Sequence, residues 1–131
     1  MSFYLWLALG CALGTLARFG ISNLMAQQLG TDFPWGTLAV NVSGSFVIGF
    51  FAEFTGPAGR HAATPITRQF VMTGILGGFT TFSSFSLQTL TLAREGEWLR
   101  AGANAGGSFV LCLLAVWLGH IAAVATGAAR T

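Results

Sequence analysis

The chain has 131 residues, 53% of them hydrophobic and 8% charged, with six arginines, no lysine, four carboxylates and a formal charge of +2. Soluble domains carry about 25% charged residues, so these side chains cannot cover a water-exposed surface, and a lipid bilayer is the expected solvent. A charge of +2 with no basic cluster excludes a nucleic-acid partner.

A spanning helix takes about 20 predominantly apolar residues, and four stretches of the chain qualify. The first covers residues 3–23. Its opening residues are uncharged and its apolar run continues to Arg18, so no cleavable signal peptide is expected. Gly10 and Gly14 form a GxxxG pair, a spacing that lets helix backbones approach closely in lipid. Arg18, the one cation well inside this span, is read as structural, snorkelling to the interface or capping carbonyls. Cys11 here and Cys112 in the last span lie in apolar runs without metal-ligand or CxxC spacing and are read as small buried residues.

A polar connection with Asp32 and Pro34 leads to the second span, residues 35–54. Asn41 sits six residues inside it, where an amide needs partners, and shares a face with Ser45 four residues on. Its two N–H donors suit an anion while a neighbouring hydroxyl anchors its oxygen; the alternative is an ordinary helix–helix hydrogen bond. Glu53 closes the span, and Gly56-Pro57-Ala58-Gly59, His61 and Pro65 mark the next loop.

The third span, residues 67–93, carries Gly74-Ile-Leu-Gly77-Gly78-Phe79-Thr80-Thr81-Phe82-Ser83-Ser84-Phe85-Ser86 in its middle. Glycine costs about 1 kcal/mol in a helix interior, so Gly77-Gly78 followed by Thr80-Thr81 predicts a broken helix. At membrane depth such a break persists only where protein, water or an ion satisfies the backbone. Phe79, Phe82 and Phe85 recur every three residues, either as packing or as rings whose positive edges face an anion. The hydroxyls of Thr80, Thr81, Ser83, Ser84 and Ser86 offer donors, and carbonyls released at Gly77 to Thr80 offer cation ligands. The segment thus holds both signs of ligand, and these residues alone do not choose between anion and cation traffic.

After the turn Arg94-Glu95-Gly96-Glu97, the fourth span covers residues 99–125. Gly102 and Gly106 form a second GxxxG pair, and Asn104, Ser108 and Cys112 make a polar stripe at four-residue spacing, either a path of neutral donors or a helix seam. His120, like Glu53 and His61, is read as interfacial. With four spans, Arg60, Arg68 and Arg130 fall on the side of the N-terminus and Arg18, Arg94 and Arg100 on or toward the other. That balance sets no orientation, so the expected arrangement is two oppositely inserted copies; the alternative is one orientation winning because Arg18 lies too deep to count. Residues 1–131 thus form one four-helix membrane domain. No nucleophile–base pair or paired carboxylates mark an enzyme, and the first span lacks the buried carboxylate that proton-coupled small multidrug transporters need.

Gly36-Thr-Leu-x-Val-Asn41-x-x-Gly44, Gly74-x-x-Gly77-Gly78-x-Thr80-Thr81-Phe82-Ser83-x-Phe85-Ser86 and the upstream Gly14-x-x-x-Arg18 together resemble the Fluc (CrcB) family of fluoride channels over the whole chain. The resemblance implies an all-α membrane protein of four transmembrane helices, the third broken near its middle, assembled as an antiparallel dual-topology homodimer in the cell inner (plasma) membrane. It further implies passive export of cytoplasmic fluoride and resistance to that ion. By motif position, Asn41, Phe82, Phe85 and Ser108 would form the fluoride pore, with Thr81 and Ser84 contributing hydroxyls. Backbone carbonyls of Gly77 and Thr80 would hold a structural sodium at the dimer centre. The chain departs from the family pattern at Gln88, where many members have a carboxylate, and at Asn104 and Cys112, where Tyr and Ser are familiar.

Overall fold

The computed structural model describes residues 2–59 and 61–128, which are helical apart from short connections. Arg60 and Arg130, two of the six arginines in the orientation balance, lie outside the described residues. Helix α1 spans Ser2–Leu29, α2 Trp35–Phe54, α3 Pro65–Gln69, α4 Gly77–Phe79, α5 Phe82–Arg94 and α6 Trp98–Ala128, with a π-helical segment, Phe70–Leu76, between α3 and α4. Four stretches are long and apolar enough to cross a membrane: α1, α2, the run Pro65–Arg94 and α6. At 1.5 Å per residue the 28 residues of α1 reach about 42 Å, past a hydrocarbon core of about 30 Å. Helix α1 therefore runs six residues beyond its expected end at residue 23.

The ends of these helices follow from local chemistry. Gly30, at φ 82°, closes α1 with its N–H on Ala26 O at 3.0 Å. Pro65, expected in the loop, instead occupies the first position of α3, where its missing N–H costs nothing, and Thr64 accepts from Thr67 N as the cap. At the end of α5, Gly96 takes φ 80°, its N–H reaches Ala93 O and Glu97 N reaches Leu92 O at 2.9 Å. This paired return is a Schellman turn, and it folds α6 back at once.

Helix α2 lies along α6, where Gly49 faces the Val116 carbonyl and Gly119 faces the Phe46 carbonyl so closely that a Cβ at either would collide. The first span packs on the π segment and α4: a Cβ on Gly14 would overlap Ile75 O and stand 2.8 Å from Phe79 N. The GxxxG of α1 is therefore a contact seam. The one on α6 is not within this chain, since Gly102 and Gly106 meet nothing within 4 Å. Cys11, expected to be buried, is exposed, and both cysteines are free. Large apolar side chains such as Leu16, Leu90, Phe109 and Leu118 point outward along the spans, as a lipid solvent requires.

At one end of the bundle, Arg68 Nη1 donates to Ala52 O at 3.0 Å and to Thr55 Oγ1 at 2.7 Å, tying the start of the third span to the last turn of α2. At the same end of α2, Glu53 Oε2 lies 3.3 Å from His120 Nδ1, so the two groups pair between α2 and α6.

Candidate functional site

Regular helix stops at Phe79 and resumes at Phe82, with Thr80 at φ −82°, ψ 158° and Thr81 at φ −153°, ψ 114°. Both are extended. The backbone groups so released are met from α2: Asn41 Nδ2 donates to Thr81 O at 2.9 Å, and Thr81 N donates to Asn41 Oδ1 at 2.7 Å. One side-chain amide thus pairs with one residue's N–H and C=O, as a neighbouring strand would. The anchor on the Asn41 oxygen is a backbone N–H and not the hydroxyl expected, because an extended Thr81 turns its own N–H toward α2. One N–H of Asn41 stays uncommitted by this pairing.

The clamp has a second effect. Thr81 N would serve the Gly77 carbonyl in a continuous helix, and Ser84 N would serve that of Thr80. Here the first is taken by Asn41 Oδ1 and the second turns to Thr81 Oγ1 at 3.3 Å, the N-cap of α5. The Gly77 and Thr80 carbonyls therefore lose the donors a helix would supply. Two hard oxygens freed in this way are ligands of the kind hard cations take. The Gly78 carbonyl is met instead by Thr15 Oγ1 of α1, at 3.4 Å.

Asn41, Thr80, Thr81, Phe82, Phe85 and Ser108 line one cavity of about 680 Å³, which Gly77, Ser45 and Cys112 also border. The Phe82 and Phe85 ring centres are 5.2 Å apart at an interplanar angle of 47°. Phe82 is 78% exposed, so the cavity lacks a wall on that side. Ser84 accepts from Thr81 Oγ1 at 3.1 Å and does not border the cavity. Arg18 is half-buried on α1, away from this cavity, and makes no hydrogen bond or ion pair with the described residues.

The stripe on α6 divides. Ser108 and Cys112 face the cavity, whereas Asn104 is fully buried and turned to α5, with Nδ2 donating to Thr89 Oγ1 at 2.8 Å and Oδ1 accepting from Ser108 Oγ at 3.4 Å. Of the two readings the spacing left open, Asn104 takes the helix seam and is not part of the lining. Sequence reasoning also missed Thr89 and the π segment. Thr89 stands four residues after Phe85, whose carbonyl it takes at 2.8 Å, but nothing local shows that Asn104 lies opposite. Gln88 has its Oε1 buried without a partner among the described residues, beside a second cavity bordered by Asp32, Glu95 and Arg100.

A family model described as CrcB-like protein, Camphor Resistance (CrcB), matches residues 5–120. The chain is 67% identical over 124 residues to a fluoride-specific ion channel FluC of Opitutus terrae, covering 95% of this chain and 94% of that protein. It is 60% identical over 122 residues to a protein of the same name from Methylocella silvestris, with 93% of each chain covered. A third, from Rhodospirillum rubrum, shares 58% over 121 residues, which is 92% of this chain and 94% of that one.

Proposed function

Because the chain belongs to the CrcB family, we propose that it is a fluoride-selective channel passing the ion down its electrochemical gradient, outward when cytoplasmic fluoride is high. Membership of an ion-channel family also means that it is not an enzyme. The observation that carries the proposal is the convergence of Asn41, Phe82, Phe85 and Ser108 on one cavity beside the extended Thr80–Thr81 pair.

Fluoride is small and tightly hydrated, so a selective path replaces its water with closely placed donors and avoids a fixed charge that would trap it. Asn41 supports this role because its oxygen and one N–H are spent on Thr81, which fixes the amide plane and leaves one N–H to offer. The positive edges of the Phe82 and Phe85 rings supply weaker contacts that an anion can leave. Ser108 adds a hydroxyl, and Thr81 and Ser84 hold the start of α5 through their own hydrogen bond.

A second copy in the opposite orientation would complete the site. The exposed Phe82 and the unfilled Gly102–Gly106 face support that assembly. In such an antiparallel, dual-topology homodimer, Gly77 and Thr80 carbonyls of both copies would hold a structural sodium, which when bound supplies positive charge to oxygens left without donors. The setting is the cell's inner membrane, where outward flux confers fluoride resistance. Fluoride efflux from vesicles holding the purified protein, compared with chloride, tests the reading. Rapid fluoride release with chloride retained is expected; equal release of both, or of neither, would overturn it.

A further inference from the structure

Asn104 is the most completely buried polar side chain among the described residues, with 0% of its surface exposed, and it does not border the cavity. Its hydrogen bonds run in one direction, and each is fixed by the one before. The Phe85 carbonyl can only accept, so Thr89 Oγ1 spends its single proton there at 2.8 Å. Thr89 can then only accept from Asn104, so the NH2 of Asn104 faces α5, at 2.8 Å. The Asn104 oxygen is thereby turned along α6 to Ser108, which donates its single proton at 3.4 Å. Ser108 therefore shows the cavity a lone pair and keeps its proton on Asn104.

An anion in the cavity needs that proton. At 3.4 Å the Ser108–Asn104 bond lies beyond the usual O–H···O range of 2.5–3.0 Å, so it is weak and easily exchanged. Resting on the fluoride-channel reading above, we propose that Asn104 is a positioning residue that stores the Ser108 proton. The hydroxyl rotates to a passing fluoride and returns to Asn104 Oδ1 when the ion leaves. No bond to hydrogen is broken; only the hydroxyl torsion changes. The return partner offsets part of the gain from binding, which weakens the stop at Ser108 and speeds exit, as conduction requires. The relay also ties this exchange to the helical turn that bears Phe85, through Thr89.

The test is the concentration dependence of fluoride flux in reconstituted vesicles, read as a half-saturating concentration and a maximal rate. Asn104→Leu removes the resting partner, so the ion no longer competes for the proton. The half-saturating concentration should fall about twofold, the factor for a net hydrogen bond at the weak end of the usual range, and maximal flux should fall by a similar factor as exit slows. In a Ser108→Ala background the same substitution should leave half-saturation unmoved. Thr89→Val, which keeps Asn104 and the side-chain shape, frees the amide to turn its NH2 to Ser108 and should shift half-saturation the same way by a smaller factor. A purely structural Asn104 would lower thermal stability and the amount of active protein with half-saturation unchanged. Parent-like half-saturation in Asn104→Leu overturns the proposal, as does an equal shift without Ser108. If that variant does not fold, parent-like half-saturation in Thr89→Val overturns it. Failure of the parent itself to conduct fluoride would instead overturn the channel reading.

Discussion

Asn41 on α2 and Asn104 on α6 both sit within membrane-spanning helices, and the two do opposite work. Asn41 on α2 reaches across to Thr81 and matches a peptide group donor for acceptor, 2.9 and 2.7 Å, on the rim of the cavity. Asn104 on α6 meets only side chains, Thr89 and Ser108, and is sealed from the cavity. One substitutes for the missing half of a backbone ladder; the other links hydroxyls. The contrast teaches that the depth of a polar residue in lipid does not tell its role, because every buried amide must be satisfied. What separates the two is whether a donor remains uncommitted and faces open space.

The contrast breaks or holds first on Asn41→Asp. The carboxylate still accepts from Thr81 N, but it sets an anionic oxygen against Thr81 O and removes the free N–H. Fluoride flux should fall by about a hundredfold or more, the scale of losing a donor and repelling a buried acceptor; flux at the parent rate in folded protein would make Asn41 an ordinary helix contact. Replacing sodium by a large organic cation comes next. If the carbonyls freed when the clamp withdraws Thr81 N from Gly77 hold sodium as proposed, its removal should weaken the proposed dimer and lower flux severalfold. Equal dimer stability and flux in both cations would detach the clamp from any cation site.

Phe82→Ile and Phe85→Ile sharpen the comparison, since Phe82 opens the helix beside the clamp while Phe85 carries the carbonyl at the end of the relay. Each keeps apolar volume and loses the ring edge, and each should lower maximal flux by about tenfold, near the upper end of aromatic contributions. Unaltered flux in either variant would make that ring packing. The smallest effect belongs to Thr81→Val. It keeps the backbone pairing with Asn41 but removes the cap on Ser84 N, and should lower thermal stability by about 1 kcal/mol with Thr81→Ser restoring it. A larger loss of flux than of stability would give the Thr81 hydroxyl a part in conduction beyond capping.

The four spans are legible in the order of the residues alone, through apolar runs and their length, because lipid forces one solution on the backbone. The ends are less legible: α1 continues to Leu29 because nothing before Gly30 supplies a stop. Glycine spacing locates the α1 seam, whereas the α6 pair has no partner within this chain, since GxxxG says that a close approach is possible and not which neighbour makes it. There the approach is made at Gly49 and Gly119 instead. In the candidate site, residue type and depth leave packing and pore lining both open, and it is the family motif that singles out Asn41, Phe82, Phe85 and Ser108, which the fold brings to one cavity. The direction of the Asn41 pairing and the separation of Asn104 from its stripe cannot, because both depend on partners distant in the chain.

The long seam between α2 and α6 has a consequence for how the protein is made. Gly49 receives the Val116 carbonyl and Gly119 receives that of Phe46, so the groove on the second span is filled only by the last. A nascent chain that has released α2 into the bilayer can pack its Gly36 against Ser22 of α1, but the groove at Gly49 stays unfilled until the last span has been made. The Schellman turn at Gly96 shortens the wait at the end, since α5 and α6 are joined closely enough to leave the translocon as one hairpin. Thr81, just ahead of that hairpin, reaches Asn41, and Val116, in its second helix, reaches Gly49, so both the backbone interruption and the helix seam are closed against the one helix α2.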